Sequence, residues 1–201
     1  MSYALYITHP EVILDPAEPP ARWHLSERGR ARAMAFGRSA AMQPIHLIIA
    51  SPETKTMETA ELLADSARQI AVGEDTYENV RTSTGAIPDA QFEALMDALY
   101  TCPEESAAGW ETLAATQARI VAAIDAAIHR HAGREPLAFV GHGTVGTIFK
   151  CHLAGRRPTR DEDQRRMADP GGGNCFVFEL EPRRLIRDWV PMEEFGGLEA
   201  P

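Results

Sequence analysis

Two histidines, a serine and a lysine stand just past the ends of three apolar runs. "ALYI" gives way to Thr8-His9-Pro10, "IHLIIAS" ends at Ser51 with Lys55 one turn further on, and "LAFVG" passes into His142-Gly143. A neutral, oriented imidazole is a nucleophile, while a second imidazole, a hydroxyl and a cation can hold the charge that develops on an oxyanion. Helix N-termini add unpaired N–H groups and positive partial charge, which suits phosphate. Each residue alone has an ordinary reading: a structural strand-end histidine, a solvated helix lysine, a packing turn at Gly-His-Gly. Their recurrence at three strand ends is what points to a phosphoryl site. His24, His46, His129, His131 and His152 read as surface or locally bonded residues, and no His/Cys/Asp/Glu spacing matches a metal centre.

The elements that must position these residues alternate. "ALYI" is a strand and "LSERGRARAMAFGRSAAM" a helix with Ser26 as N-cap. "IHLIIAS" is a second strand and "PETKTMETAELLADSA" a helix with Ser51 at the N-cap and Pro52 at the first position. "QIAV" is a weak third strand, and a helix around "DAQFEALMDAL" lies in the less regular stretch from Gly73 to Gly109. "GWETLAATQARIVAAIDAAIHRH" is the longest helical pattern, "LAFVG" the fourth strand, "TVGTIFKCHLAG" a helix, and "NCFVFEL" with "LIRDWVP" a terminal hairpin. Such alternation predicts an α/β fold of three layers, with a mainly parallel sheet flanked by helices and an antiparallel edge strand. Ligands of such sheets bind beyond the carboxyl ends of the strands.

The chain has 201 residues, 44% hydrophobic and 24% charged, enough for one ordinary domain over residues 1–201 with an insertion at about 73–110 bordering the site. Twenty Lys+Arg against 29 Asp+Glu give a net charge of −9, which argues against a nucleic-acid or anionic-membrane surface. No signal-peptide pattern or membrane-length apolar run is visible. Cys102, Cys151 and Cys175 form no paired motif, so free thiols in a reducing cytoplasm are expected. Nothing in the sequence specifies an oligomeric state.

In order and spacing the motifs resemble the histidine phosphatase superfamily, the phosphoglycerate-mutase-like fold. That family opens on a strand and Arg-His-Gly, continues with Leu-(Ser/Thr)-x-x-Gly-Arg (here "LSERGR") and Ser-x-x-x-Arg-x-x-x-Thr-Ala (here "SPETKTMETA"), and closes on strand-x-His-Gly (here "LAFVGHG"). The resemblance implies that His9 attacks phosphorus and carries a phosphoryl group. His142, with Gly143 behind it, would stabilise the equatorial oxygens, and Lys55 would stand in the place of an arginine clamp. Glu78 in "TYENVR" would protonate the leaving oxygen, ahead of Asp75 and Glu74, and Ser51 would lie near the phosphate. Asn174 would be a peripheral pocket residue, and Arg81 a compensating cation. No cofactor is implied, and the partner is a small phosphorylated substrate or inorganic phosphate.

Thr8 stands for the family's first arginine, Lys55 for its second and Pro10 for its glycine. Lysine keeps a charge but not the planar fork that grips two oxygens. The expectation is therefore a phosphomonoester phosphatase of reduced activity. A non-catalytic binder of a phosphorylated ligand or partner on the same fold is the alternative. A dinucleotide-binding oxidoreductase ranks third: "GHGTVG" matches G-x-G-x-x-G, but no strand precedes Asp161 or Asp163, where the ribose-binding acid would lie.

Overall fold

A computed structural model describes residues 2–81 and 87–198. Six strands form one sheet in the order β3-β2-β4-β1-β5-β6. These are β1 (Tyr3–Thr8), β2 (Leu47–Ala50), β3 (Gln69–Val72), β4 (Leu137–Gly141), β5 (Asn174–Leu180) and β6 (Arg183–Pro191). The first four in space are mutually parallel, and the antiparallel pairings are confined to the C-terminal hairpin, β5 against β1 and β6 against β5.

The strands are apolar on both faces because both are covered. Along β1, Ala4 and Tyr6 join one core with Leu47, Ile49, Leu137, Phe139, Phe176 and Phe178. Helices α3 (Asp89–Thr101), α4 (Leu113–Arg130) and α5 (Gly143–Ala154) close that side. The alternate residues Leu5, Ile7, Ile48, Val140 and Val177 face the other way, under α1 (Glu27–Gly37) and α2 (Thr54–Ala64). This is the three-layer architecture expected from the alternating pattern. A short helix, α6 (Gln164–Met167), lies between α5 and β5 and has no counterpart among the elements expected from the sequence.

The register places the site. Thr8 pairs with Gly141, Ala50 pairs with Val140, and the Ser51 N–H reaches the Val140 carbonyl at 2.9 Å. Parallel strands in this register end at one level, so His9, Ser51 and His142 emerge side by side.

Several element ends differ from expectation. The first helix stops at Gly37, and Ala40–Met42 form a separate 3₁₀ turn. Helix α4 begins at Leu113 under a Thr112 cap, leaving Trp110 buried before it. Helix α2 begins at Thr54 with Glu53 in the N-cap position, so Ser51 is not its cap. The Ser51 hydroxyl is instead committed to His142.

The glycines of "GHGTVG" serve packing. A Cβ on Gly141 or on Gly146 would strike the Tyr6 ring or its hydroxyl, and one on Gly143 would strike the Gln164 amide. The chain after α5 runs through the 3₁₀ turn Arg160–Glu162 and α6 into an antiparallel strand, with Asp163 capping α6. Among the described residues no parallel strand follows to carry a ribose-binding acid, which removes the basis of the dinucleotide reading.

Candidate active site

His9 is pinned by its own backbone. Its N–H donates to the Gly141 carbonyl at 3.1 Å, and its carbonyl accepts from Gly173 at 3.1 Å. Gly172, at φ +79°, passes so close to that carbonyl that a side chain would collide with it. The imidazole Nδ1 lies 2.9 Å from the Pro10 carbonyl. A carbonyl can only accept, so Nδ1 carries the proton and Nε2 keeps its lone pair. Burial, then the neighbouring His142 and the Lys55 charge, push the His9 pKa down to about 3. At neutral pH the ring is uncharged, with its Nε2 lone pair free.

The motif around "LSERGR" holds the loop beyond His9. Ser26 caps α1 by accepting from the Gly29 N–H, and Gly29 lacks the Cβ that would collide with the Glu11 carbonyl. Arg32 then reaches across to Glu11, Glu193 and the Gly172 carbonyl.

His142 stands opposite, its ring 5.4 Å from that of His9 centre to centre and inclined at 70°. It is completely buried. The Tyr6 hydroxyl donates to its carbonyl and accepts from its N–H, both at 3.2 Å. Nε2 lies 2.8 Å from the Ser51 Oγ and 3.4 Å from a Glu53 oxygen, whereas Nδ1 has no partner. Burial lowers the His142 pKa against the opposing pull of Glu53 and Glu78. With Nε2 engaged by Ser51 and facing Glu53, Nδ1 is the nitrogen left for a ligand.

Lys55 is nearly buried, yet it is not an open clamp. Its Nζ donates to the Glu53 carboxylate at 2.5 Å and to the Pro20 carbonyl at 2.7 Å. Glu53 also accepts from the Glu78 N–H at 3.0 Å. Burial works against its ionisation, but His142, Lys55 and that N–H together pull its pKa down to about 2. Glu53 did not stand out in the sequence: an acid beginning a helix is ordinary, and only the fold brings it to Lys55 and His142.

Glu78 sits at the start of α5. One carboxylate oxygen accepts from Asn79 at 2.8 Å and Val145 at 3.2 Å, the other from Thr144 at 3.2 Å. The first turn of α5 therefore holds this carboxylate through two of its N–H groups. Burial would raise the Glu78 pKa, but Arg81, His142 and the Asn79 N–H outweigh it and lower it. Glu78 is thus ionised at rest, in contrast to the proton donor expected from the resemblance. Arg119 fixes this segment by donating to the carbonyls of Asp75, Tyr77 and Glu78 while paired with Glu111. Arg81 stacks on Trp110 at 4.4 Å and Phe92 at 5.2 Å and donates to Thr144 at 2.9 Å.

Thr8 and Asn174 form a separate polar knot. The Thr8 hydroxyl donates to Gln164 at 3.2 Å and accepts from the Asn174 N–H at 3.0 Å, and the Asn174 amide bonds Gln164 and the Asp169 carbonyl. Thr8 is therefore saturated rather than a phosphate donor, and Asn174 is fully buried rather than peripheral. Gln164, missed in the sequence, links the Thr8 end of β1 to Gly143. Among the described residues no group of three His, Cys, Asp or Glu could hold a metal ion, and no helix is long and apolar enough to cross a membrane.

No curated protein sequence matches the chain. Its fold is similar to that of a mycobacterial glucosyl-3-phosphoglycerate phosphatase in complex with inorganic phosphate (TM-score 0.70, 16% identity, 94% of this chain and 96% of that one). Bacillus stearothermophilus YhfR is similar over 99% of this chain and 98% of its own (TM-score 0.70, 18% identity). So is a phosphoserine phosphatase from Entamoeba histolytica bound to 3-phosphoglyceric acid, over 93% and 95% (TM-score 0.69, 15% identity). The family model of the histidine phosphatase superfamily (branch 1) matches residues 20–184. The match covers all but the first strand and the C-terminal end, and the chain belongs to the histidine phosphatase superfamily.

Proposed function

We propose that the protein is a phosphomonoester phosphatase that works through a phosphohistidine on His9. The observation that carries this reading is the facing pair of imidazoles: His9 offers a lone pair at Nε2, and His142 keeps an unpartnered nitrogen beside it. Attack by Nε2 would form the N–P bond as the ester oxygen leaves. The unpartnered Nδ1 side of His142 and the opening of α5 at Gly143 would stabilise the equatorial oxygens. Glu78, ionised at rest, is suited to take a proton from water when the phosphohistidine is hydrolysed. Structural relatives that carry the name phosphatase, one of them holding inorganic phosphate, support a small phosphorylated substrate. We place the whole chain in one domain, with residues 73–110 bordering the pocket through Glu78 and Arg81.

The alternative, a phospho-ligand binder without turnover, draws support from the saturated Thr8 and the neutralised Lys55. A panel of phosphomonoesters run on wild type and His9→Ala separates the two. The catalytic reading expects turnover that vanishes in His9→Ala and an acid-labile label mapped to the His9 peptide. Equal activity in the variant, or label on Ser51 or Thr54, would refute it.

A further inference from the structure

We propose that Glu53 sets the charge selectivity of this pocket: by cancelling Lys55 it tunes the site to a phosphoryl group carrying one negative charge instead of two. The inference rests on the pocket's being a phosphoryl site. One carboxylate touches three parts of the machinery: the Lys55 Nζ at 2.5 Å, the Glu78 N–H at 3.0 Å and the His142 Nε2 at 3.4 Å. The Glu53 side chain is 12% exposed and that of Lys55 7%, so water and salt screen the pair little.

The other charges nearby add no net positive charge. Glu78 is matched by Arg81 and Arg119 on α4 by Glu111, while Arg160 faces Asp163, Glu93 and Asp97. Burial keeps both imidazoles neutral near pH 7. A site that balances its own charge offers a dianion no net counter-charge for the water it gives up. A monoanion loses less hydration on entering.

The chemistry agrees. Glu78 at rest has no proton for the leaving oxygen. A phosphomonoester loses its second proton near pH 6, so its monoanion brings one. In the first step the Nε2–P bond forms and the P–O ester bond breaks. The bonding pair goes to the ester oxygen, and the phosphoryl proton passes to it through the Glu78 carboxylate. A neutral imidazole and a monoanionic ester give a neutral alcohol and a phosphohistidine of net charge −1.

The test is calorimetric titration with inorganic phosphate at pH 5.5 and 8.0 of wild type, Glu53→Gln, and Glu53→Gln/Lys55→Met. Neither Glu53, at about 2, nor His9, at about 3, changes charge in this interval, and His142 is the same in all three proteins, so the differences between them read the Glu53 and Lys55 charges. Wild type should bind about tenfold or more tightly at pH 5.5 than at pH 8.0. Glu53→Gln, with the Lys55 charge released, should gain about tenfold at pH 8.0 and less than about threefold at pH 5.5. The double variant restores the balance and should return to within about threefold of wild type at both pH values. If Glu53→Gln does not fold, the double variant against wild type decides the matter. Unchanged or weaker binding by Glu53→Gln at pH 8.0, a double variant more than about tenfold from wild type, or no phosphate binding by any form overturns the proposal. Binding is read without turnover. This pattern without phosphohistidine would sink only the catalytic reading, and His9-dependent turnover without this pattern would sink only the role of Glu53.

Discussion

Which nitrogen of each imidazole faces the pocket is set by a neighbouring oxygen. The Pro10 carbonyl, 2.9 Å from the His9 Nδ1, can only accept, so the substitution of proline for the family's glycine leaves the orienting contact in place. Ser51 engages Nε2 of His142 at 2.8 Å and leaves Nδ1 without a partner. Ser51→Ala removes this contact and leaves buried Nε2 without its hydroxyl partner, at about 1–3 kcal/mol. Turnover should fall by about tenfold to a hundredfold with a small change in KM, because the loss falls on transition-state charge. Steady-state kinetics on a substrate found in the monoester panel check this, and an equal loss confined to KM would contradict it. Thr8 behaves differently from the family's arginine. Its hydroxyl closes a buried knot with Gln164 and Asn174, so Thr8→Arg would force a guanidinium among groups that are already paired. The expected outcome, read by thermal melting and steady-state kinetics, is a lower melting temperature and no gain in turnover.

The site was legible at the level of elements and less so at the level of contacts. Strands buried on both faces write themselves as apolar runs, and their polar ends at Thr8, Ser51 and Gly141 mark where the ligand side begins. His9 and His142 could therefore be paired from the sequence alone. Glu53 and Gln164 could not, since neither is marked by a strand end and only the fold brings residue 53 to 142 and 164 to 8. Tyr6 shows the same limit. It reads as one more core aromatic of β1, yet its hydroxyl bridges both backbone groups of His142, and Gly141 and Gly146 make room for it. Tyr6→Phe keeps the ring stacked on Phe176 but leaves two buried backbone groups unpaired. The expected cost is about 1–3 kcal/mol, seen as several degrees in thermal melting, with a further loss of turnover as His142 shifts. Full activity in a fully stable Tyr6→Phe would show that the bridge does not position the imidazole.

At the scale of the whole molecule, the machinery makes the fold sensitive to acid well above the usual carboxylate range. His9 has a folded pKa of about 3 against an ordinary value of 6.5, so below pH 6.5 the unfolded chain binds this proton more readily. Stability from His9 is then full above about pH 6.5 and declines as pH falls toward 3. His142, also lowered by burial, acts in the same direction. Glu53 has a folded pKa of about 2 against an ordinary 4.5, so its contribution is intact above pH 4.5 and is lost only as pH falls toward 2. The two windows overlap between pH 4.5 and 3, and between pH 6.5 and 4.5 the histidines act without Glu53. Urea unfolding at half-unit steps should show wild type losing about 1–2 kcal/mol between pH 6.5 and 4.5, discounted because the His9 ring is partly open to solvent. His9→Gln should flatten that segment and make the fall between pH 4.5 and 3 shallower as well, and adding His142→Asn should flatten the upper segment further. Glu53→Gln should do the reverse, sparing the upper segment and shallowing the lower one. The same slope between pH 6.5 and 4.5 in wild type and in the two-histidine variant would mean that these rings are not held neutral by the fold. The unprotonated nucleophile on which the phosphatase reading depends would then lose its physical basis.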